Sequence, residues 1–352
     1  MGRKKRWLII PALLAVTAFM VYLALPRQQS LIDRSTRIAG FSRRGRSYAW
    51  QSDRAIIGFQ WDAAGDELPV SVDTRTGVMM PVIKAANPKF ADIISGCLVS
   101  PDGKRLLWYG YSTNIKEPWR ILNLASGELF TPMQKLPKFA MYGGDDFAAW
   151  LPDSRHWAAL VPDGSGADIF ISSAETRTGA PGITIRVPLP NSPLSNASFA
   201  NWYSYRLAGI APNGHAIMTR WRPGKDCALD ICDFALTPGA TAKTTTLTWP
   251  AGVTTWEEVS LSPKADRFAL IEHTGGYGKR PRWLERLFPP RFTMKLIVRK
   301  LDGMDRREIG SIVTDEAPSP MNDDAPSSLR WTPDGKKLSY IYKDYLYTVP
   351  AD

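Results

Sequence analysis

Apolar residues along this chain come in short runs, and the polar residues between them repeat one motif. Ser100-Pro101-Asp102-Gly103-Lys104 precedes Leu106-Leu107-Trp108-Tyr109, and Leu151-Pro152-Asp153-Ser154-Arg155 precedes Trp157-Ala158-Ala159-Leu160. Ala211-Pro212-Asn213-Gly214-His215, Ser262-Pro263-Lys264-Ala265-Asp266 and Thr332-Pro333-Asp334-Gly335-Lys336 stand before three further apolar runs. A degenerate copy, Gln51-Ser52-Asp53-Arg54, precedes Ile56-Ile57-Gly58-Phe59. Proline fixes φ at the second position of such a turn. Asp or Asn caps nearby amides, and Gly or Asn accepts positive φ. The motif therefore joins two antiparallel strands, and the apolar run after it is an inner strand buried on both faces. A second apolar stretch follows in most units, as in Arg120-Ile121-Leu122-Asn123-Leu124, Asp168-Ile169-Phe170-Ile171 and Leu296-Ile297-Val298-Arg299.

Each unit then reads strand, turn, strand, loop, strand, turn, strand. The prolines are 51, 60, 51 and 70 residues apart, spacing that fits four short strands with variable loops. One such sheet cannot bury its own faces, whereas six arranged radially can. The expected fold is all-β, a six-bladed β-propeller over 36–352; a sandwich of irregular hairpins is the alternative. The last unit ends at Tyr345-Leu346-Tyr347-Thr348-Val349, too near the C-terminus for a fourth strand. Thr36-Arg37-Ile38-Ala39-Gly40 is expected to supply it and close the ring.

The first 26 residues break the pattern. Arg3, Lys4, Lys5 and Arg6 precede an uncharged run from Trp7 to Leu25. As a helix it would measure about 28 Å, close to the apolar thickness of a bilayer. The expectation is a single transmembrane anchor with its N-terminus cytoplasmic, a linker at 27–35, and a propeller that is periplasmic or extracellular. A cleaved signal peptide is the rival.

Composition agrees with many strands and turns. Gly 27 and Pro 28 accompany 13 Trp, 12 Tyr and 13 Phe, which argues against a helical bundle. The net charge of +10 includes five basic residues within 1–27. The remaining 325 residues carry 39 basic and 34 acidic side chains, a mild excess that does not bring nucleic acid among the expected partners.

The signature Trp331-Thr332-Pro333-Asp334-Gly335-Lys336-Lys337-Leu338 resembles the repeats of TolB-like, WD-like β-propellers of exported bacterial proteins, and the likeness extends over roughly 36–352. It implies the propeller fold and export. It does not carry the role of TolB, which resembles a soluble periplasmic protein with an additional N-terminal domain.

Catalytic motifs are sparse. There is no G-x-S-x-G segment, and Ser165 lies in the hairpin loop Asp163-Gly164-Ser165-Gly166-Ala167-Asp168, whose oxygen donors fall short of a calcium-loop pattern. Structural calcium is thus unsupported, and no other cofactor is expected. His156, His215 and His273 lie in different units without metal-ligand spacing. Asp102, Asp153 and Asp334 recur because the turn needs them. Cys227 and Cys232 could close a small disulfide loop in an oxidising compartment, and Cys97 reads as a buried thiol.

The most distinctive insertion, 274–292, brings Lys279, Arg280, Arg282, Trp283 and Arg286 together. These are the candidate interaction residues, suited to an acidic partner, a lipid surface or the propeller's own rim. The functional expectation is a membrane-tethered, non-catalytic scaffold that recognises an envelope protein or peptide. The alternatives are a propeller enzyme, lyase or hydrolase, with a composite site at the channel mouth, and a structural component of an envelope assembly.

Overall fold

A computed structural model describes residues 14, 16–17, 20, 30–40, 48–61, 67–82, 93–111, 119–130, 148–163, 166–175, 182–188, 205–222, 228–249, 253–275, 291–314 and 325–352. A short helix, α1 (Ser30–Asp33), leads into β1 (Thr36–Gly40). Six antiparallel four-stranded sheets follow in chain order. Blade 1 is β2 (Tyr48–Ser52), β3 (Ala55–Trp61), β4 (Glu67–Asp73) and β5 (Met79–Pro81). Blade 2 is β6 (Ile93–Val99), β7 (Arg105–Tyr111), β8 (Trp119–Asn123) and β9 (Leu129–Phe130). Blade 3 is β10 (Ala148–Trp150), β11 (His156–Asp163), β12 (Gly166–Ser173) and β13 (Ile183–Pro188). Blade 4 is β14 (Tyr205–Ile210), β15 (His215–Arg222), β16 (Ala228–Ala235) and β17 (Lys243–Thr248). Blade 5 is β18 (Val253–Leu261), β19 (Arg267–Gly275), β20 (Phe292–Lys300) and β21 (Arg307–Thr314). Blade 6 is β22 (Ser327–Trp331), β23 (Lys337–Tyr342), β24 (Tyr345–Pro350) and, from the other end of the chain, β1.

The expected six-bladed propeller is therefore present, and β1 completes the last blade. Thr36 pairs with Thr348 and Gly40 with Tyr345, antiparallel, across a bulge at Ile38. The first strands of successive blades touch one another around the axis, and β22 meets β2 where the ring shuts. These axial strands precede the proline turns. The strands after the turns stand second from the axis and are buried on both faces, as in the unbroken burial of Leu338 to Tyr342.

The core lies between blades rather than within them. Each of the six interfaces holds its own apolar cluster. Ala49, Ile57 and Phe59 of blade 1 meet Cys97, Leu106 and Leu122 of blade 2. Tyr48, Ile56, Val70 and Val72 meet Ala39, Ile341 and Leu346 across the closing interface. Tyr48 and Trp50 both hydrogen-bond Ser339 Oγ there, at 2.7 and 2.8 Å.

The predicted membrane anchor requires correction. Among the described residues no helix is long and apolar enough to cross a membrane. Leu14, Val16, Thr17 and Met20 are helical and exposed; the other residues of 1–29 lie outside the described set. The tethered reading, the single-pass topology and the lipid contact through an N-terminal helix have no support and are set aside. Within the stretch assigned to a linker, α1 packs on blade 5. Leu31 is buried beside Ile309 and Ile312, the Ser311 amide donates to Ser30 Oγ at 3.0 Å, and Arg34 donates to the Ile309 carbonyl.

Candidate functional site

Antiparallel order within each blade fixes what lies at each face of the ring. The turns from first to second strand and from third to fourth gather at one face. The connections from second to third strand, and those between blades, gather at the other.

At the turn face the proline motifs occupy equivalent corners, and hydrogen bonds link those of blades 2 and 3 and those of blades 6 and 1. Asp102 Oδ1 accepts from the Lys104 amide at 3.1 Å and Ser100 Oγ at 2.6 Å, and Asp334 Oδ1 accepts from the Lys336 amide at 3.0 Å and Thr332 Oγ1 at 2.7 Å. Burial alone would raise both carboxyls, but these hydrogen bonds and the adjacent lysine and arginine charges hold them below the usual range. Gly103 and Gly335 take φ of 71° and 69°. The deviant motifs still serve this array. Ser154, at φ 59°, accepts the Asp102 amide on its Oγ at 3.0 Å, and Asp53 accepts the Asp334 amide at 3.1 Å. Trp150 and Trp331 donate their indole N–H to the Leu98 and Ser260 carbonyls of the preceding blade, both at 2.9 Å. The aspartates are structural pins.

The histidines are spread over blades 3, 4 and 5. His156 Nδ1 lies 2.6 Å from Asp153 Oδ2 and His215 Nδ1 lies 2.7 Å from Asp233 Oδ1, while burial lowers the pKa of His273. Asp168 pairs with Arg186 at 3.0 Å. Among the described residues no cluster of His, Cys, Asp or Glu could hold a metal ion. Cys97 and Cys232 are buried thiols, with Cys232 Sγ 3.7 Å from Thr244 Oγ1; Cys227 lies outside the described residues.

Lys279, Arg280, Arg282, Trp283 and Arg286 also lie outside the described residues. Their segment joins β19 to β20, whose final pair is Gly275 with Phe292, so it leaves blade 5 at the loop face, opposite the proline turns.

Two features carry no motif in the sequence. Glu272, 4% exposed, accepts from Trp249 Nε1 at 2.9 Å and from Arg306 Nη2 at 2.6 Å, with Arg299 Nη2 at 3.5 Å. Burial would raise its pKa; the hydrogen bonds from Arg306 and Trp249 and the two guanidinium charges lower it instead. These partners sit 23 to 34 residues away, beyond any local pattern. The second feature is a cavity of about 260 Å³ at the turn end of the axis. Leu98, Ala149, Gly209, Ser260 and Arg330 line it, with Arg206 deeper.

No protein-family model matches the chain, and no curated protein matches it. Solved structures do. TolB from Acinetobacter baumannii is similar at 15% identity and a TM-score of 0.46, over 85% of this chain and 63% of that one. The chain thus spans less than two thirds of that protein. A putative TolB from Agrobacterium tumefaciens is similar at 11% identity and a TM-score of 0.48, over 87% and 90% of the two chains. The Kuenenia stuttgartiensis hydrazine synthase is similar at 11% identity and a TM-score of 0.50, over 87% and 75%. Likeness at this level concerns the fold alone: the chain is a six-bladed β-propeller resembling TolB-like periplasmic proteins at low sequence identity.

Proposed function

We propose that this chain is a non-catalytic binding scaffold whose loop face engages a protein or peptide partner. The propeller body over 36–352 is the binding unit, and Lys279, Arg280, Arg282, Trp283 and Arg286 supply the contacts. The observation that carries this reading is the register of blade 5. Because Gly275 closes against Phe292, the basic and aromatic connection between them starts and ends at the face away from the proline turns. A face whose backbone is already committed to holding blades together is a poor docking surface, whereas connections of variable length can be elaborated freely on a rigid ring. Four cations around one tryptophan suit an acidic partner. Arginine and tryptophan are the residue types that anchor interfaces, and the charges steer encounter. The TolB-like resemblance makes a protein of the bacterial envelope the first class to test.

The test is affinity capture with the full chain and with a variant carrying Lys279→Gln, Arg280→Gln, Arg282→Gln and Arg286→Gln. A partner retained by the natural chain and lost by the variant, with melting temperature unchanged, is the expected result. Equal capture by both would remove this segment as the site.

A further inference from the structure

We propose that residues 30–40 form an exchangeable clasp, and that the seam they close is an interaction surface for the same segment of a second copy of this chain. The segment is held on two blades in two conformations. As the helix α1 it lies on β21, where the Ser311 amide donates to Ser30 Oγ at 3.0 Å and Arg34 donates to the Ile309 carbonyl. As the strand β1 it joins β24 in four residue pairs, from Thr36 with Thr348 to Gly40 with Tyr345. Between the two, Ser35 Oγ is hydrogen-bonded to Tyr340 OH at 2.7 Å.

These contacts are few for an element that closes a ring. Of residues 30–40, all of them described, only Leu31 and Ala39 are buried. The strand β1 pairs along one edge alone, and the bulge at Ile38 interrupts that ladder. By contrast β23 pairs along both edges and is buried without a break from Leu338 to Tyr342. A unit with little burial and one-sided pairing opens before the structure it rests on. The clasp therefore leaves its seat while the blades still hold together.

The seat is selective. Leu31 packs among Met294, Leu296, Leu329 and Tyr340, between blades 5 and 6. Gly310 lets the helix backbone come so close that a Cβ there would stand 2.7 Å from Leu31 Cα. An extended strand cannot fill a helix seat on blade 5 and an open strand edge on blade 6 at once. The occupant must change from helix to strand at Arg34–Ser35, as this segment does. The ligand with that shape and chemistry is residues 30–40, from the same chain or from a neighbour. Two copies that trade clasps recover every contact in a closed two-fold pair, with β24 covered in both. From Gly40 to Tyr48 there are eight peptide steps, at most about 28 Å, so the exchanging copies must bring their seams close together. The inference is independent of the loop-face reading, which concerns residues 279–286.

The experiment mixes tagged and untagged full chains at high concentration, dilutes them and captures through the tag. The untagged chain should be recovered with the tagged one. An excess of a synthetic peptide spanning 30–40, present during mixing, should reduce that recovery at least tenfold, and a scrambled peptide should not. Two variants assign the contact. Leu31→Ala with Arg34→Ala weakens the clasp and keeps the seat, whereas Gly310→Ala blocks the seat and keeps the clasp. Mixed with each other, these two chains should pair at least tenfold more than either does alone. Hydrogen exchange on the natural chain needs no variant: amides of 36–40 should exchange at least tenfold faster than those of Leu338–Tyr342. No recovery at any concentration, recovery indifferent to the peptide, a mixed pair no stronger than either variant alone, or exchange in 36–40 as slow as in β23 would each overturn the proposal.

Discussion

Glu272 shows what a single buried charge does in this ring. It is almost fully enclosed, yet three donors converge on it from blade 4 and from the far strands of blade 5. Removing the carboxylate leaves Arg299, which is largely buried, without its counter-charge, while the more exposed Arg306 keeps water. Glu272→Ala is therefore expected to lower stability by about 3 kcal/mol in urea unfolding. The pH dependence follows from the sign of the shift. The folded-state pKa is depressed, so the stabilisation is complete above the unfolded value, near 4.3, and is lost as pH falls through the folded one. Glu272→Gln should accordingly flatten the acid limb of stability below about pH 5. An unchanged limb would mean that the carboxylate is not ionised in the folded protein. Trp331 is a milder case. Phenylalanine there keeps the ring but leaves the Ser260 carbonyl without its donor, at an expected cost of about 1–2 kcal/mol. Trp331 was visible in the sequence as the first residue of the turn signature. The Glu272 group was not, because its members are neighbours only once the sheets have paired.

At the scale of elements, turn chemistry was legible and packing position was not. Each proline motif marks a first-to-second strand corner, including the copies in which Ser154 or Ala265 replaces glycine at positive φ. Local sequence specifies how the backbone turns. It says less about which strand lies nearest the axis, since both strands flanking the turn are apolar. The helix α1 was missed for a related reason: four residues are too few to show a period. Its signal lies in a distant glycine instead. A Cβ on Gly310 would come within 2.7 Å of Leu31 Cα and 2.8 Å of its nitrogen, so the helix backbone rests directly on β21. Gly310→Ala should displace α1 and cost about 1–3 kcal/mol, as overpacking does. Limited proteolysis should then cut within 30–35 while the rest of the chain stays resistant. Cleavage no faster than in the natural protein would show that the helix tolerates the added methyl.

For the molecule as a whole, the decisive event is closure. Six clusters of similar kind separate the blades, so five interfaces could form in a linear array; only the sixth requires the two ends of the chain to meet. That requirement was readable from strand arithmetic alone, as a last blade one strand short and an unpartnered segment at 36–40. Two layers of interaction enforce it. The backbone pairing of β1 with β24 covers an otherwise open edge, and Arg37 stacks 4.3 Å from the Tyr345 ring. Ser35 then ties Tyr340 to the end of α1 through hydrogen bonds of 2.7 and 2.6 Å. A chain beginning at residue 41 would lose all of these and expose β24 as a bare edge, the surface on which sheets add strands from other molecules. Such a truncation should unfold at lower temperature and over a broader range, with blade 6 exchanging its amides fastest. It should also associate in a concentration-dependent way that a synthetic peptide spanning 30–40 suppresses. A sharp, monomeric transition at the natural temperature would mean that the blade interfaces hold the ring shut without the strand that crosses its seam.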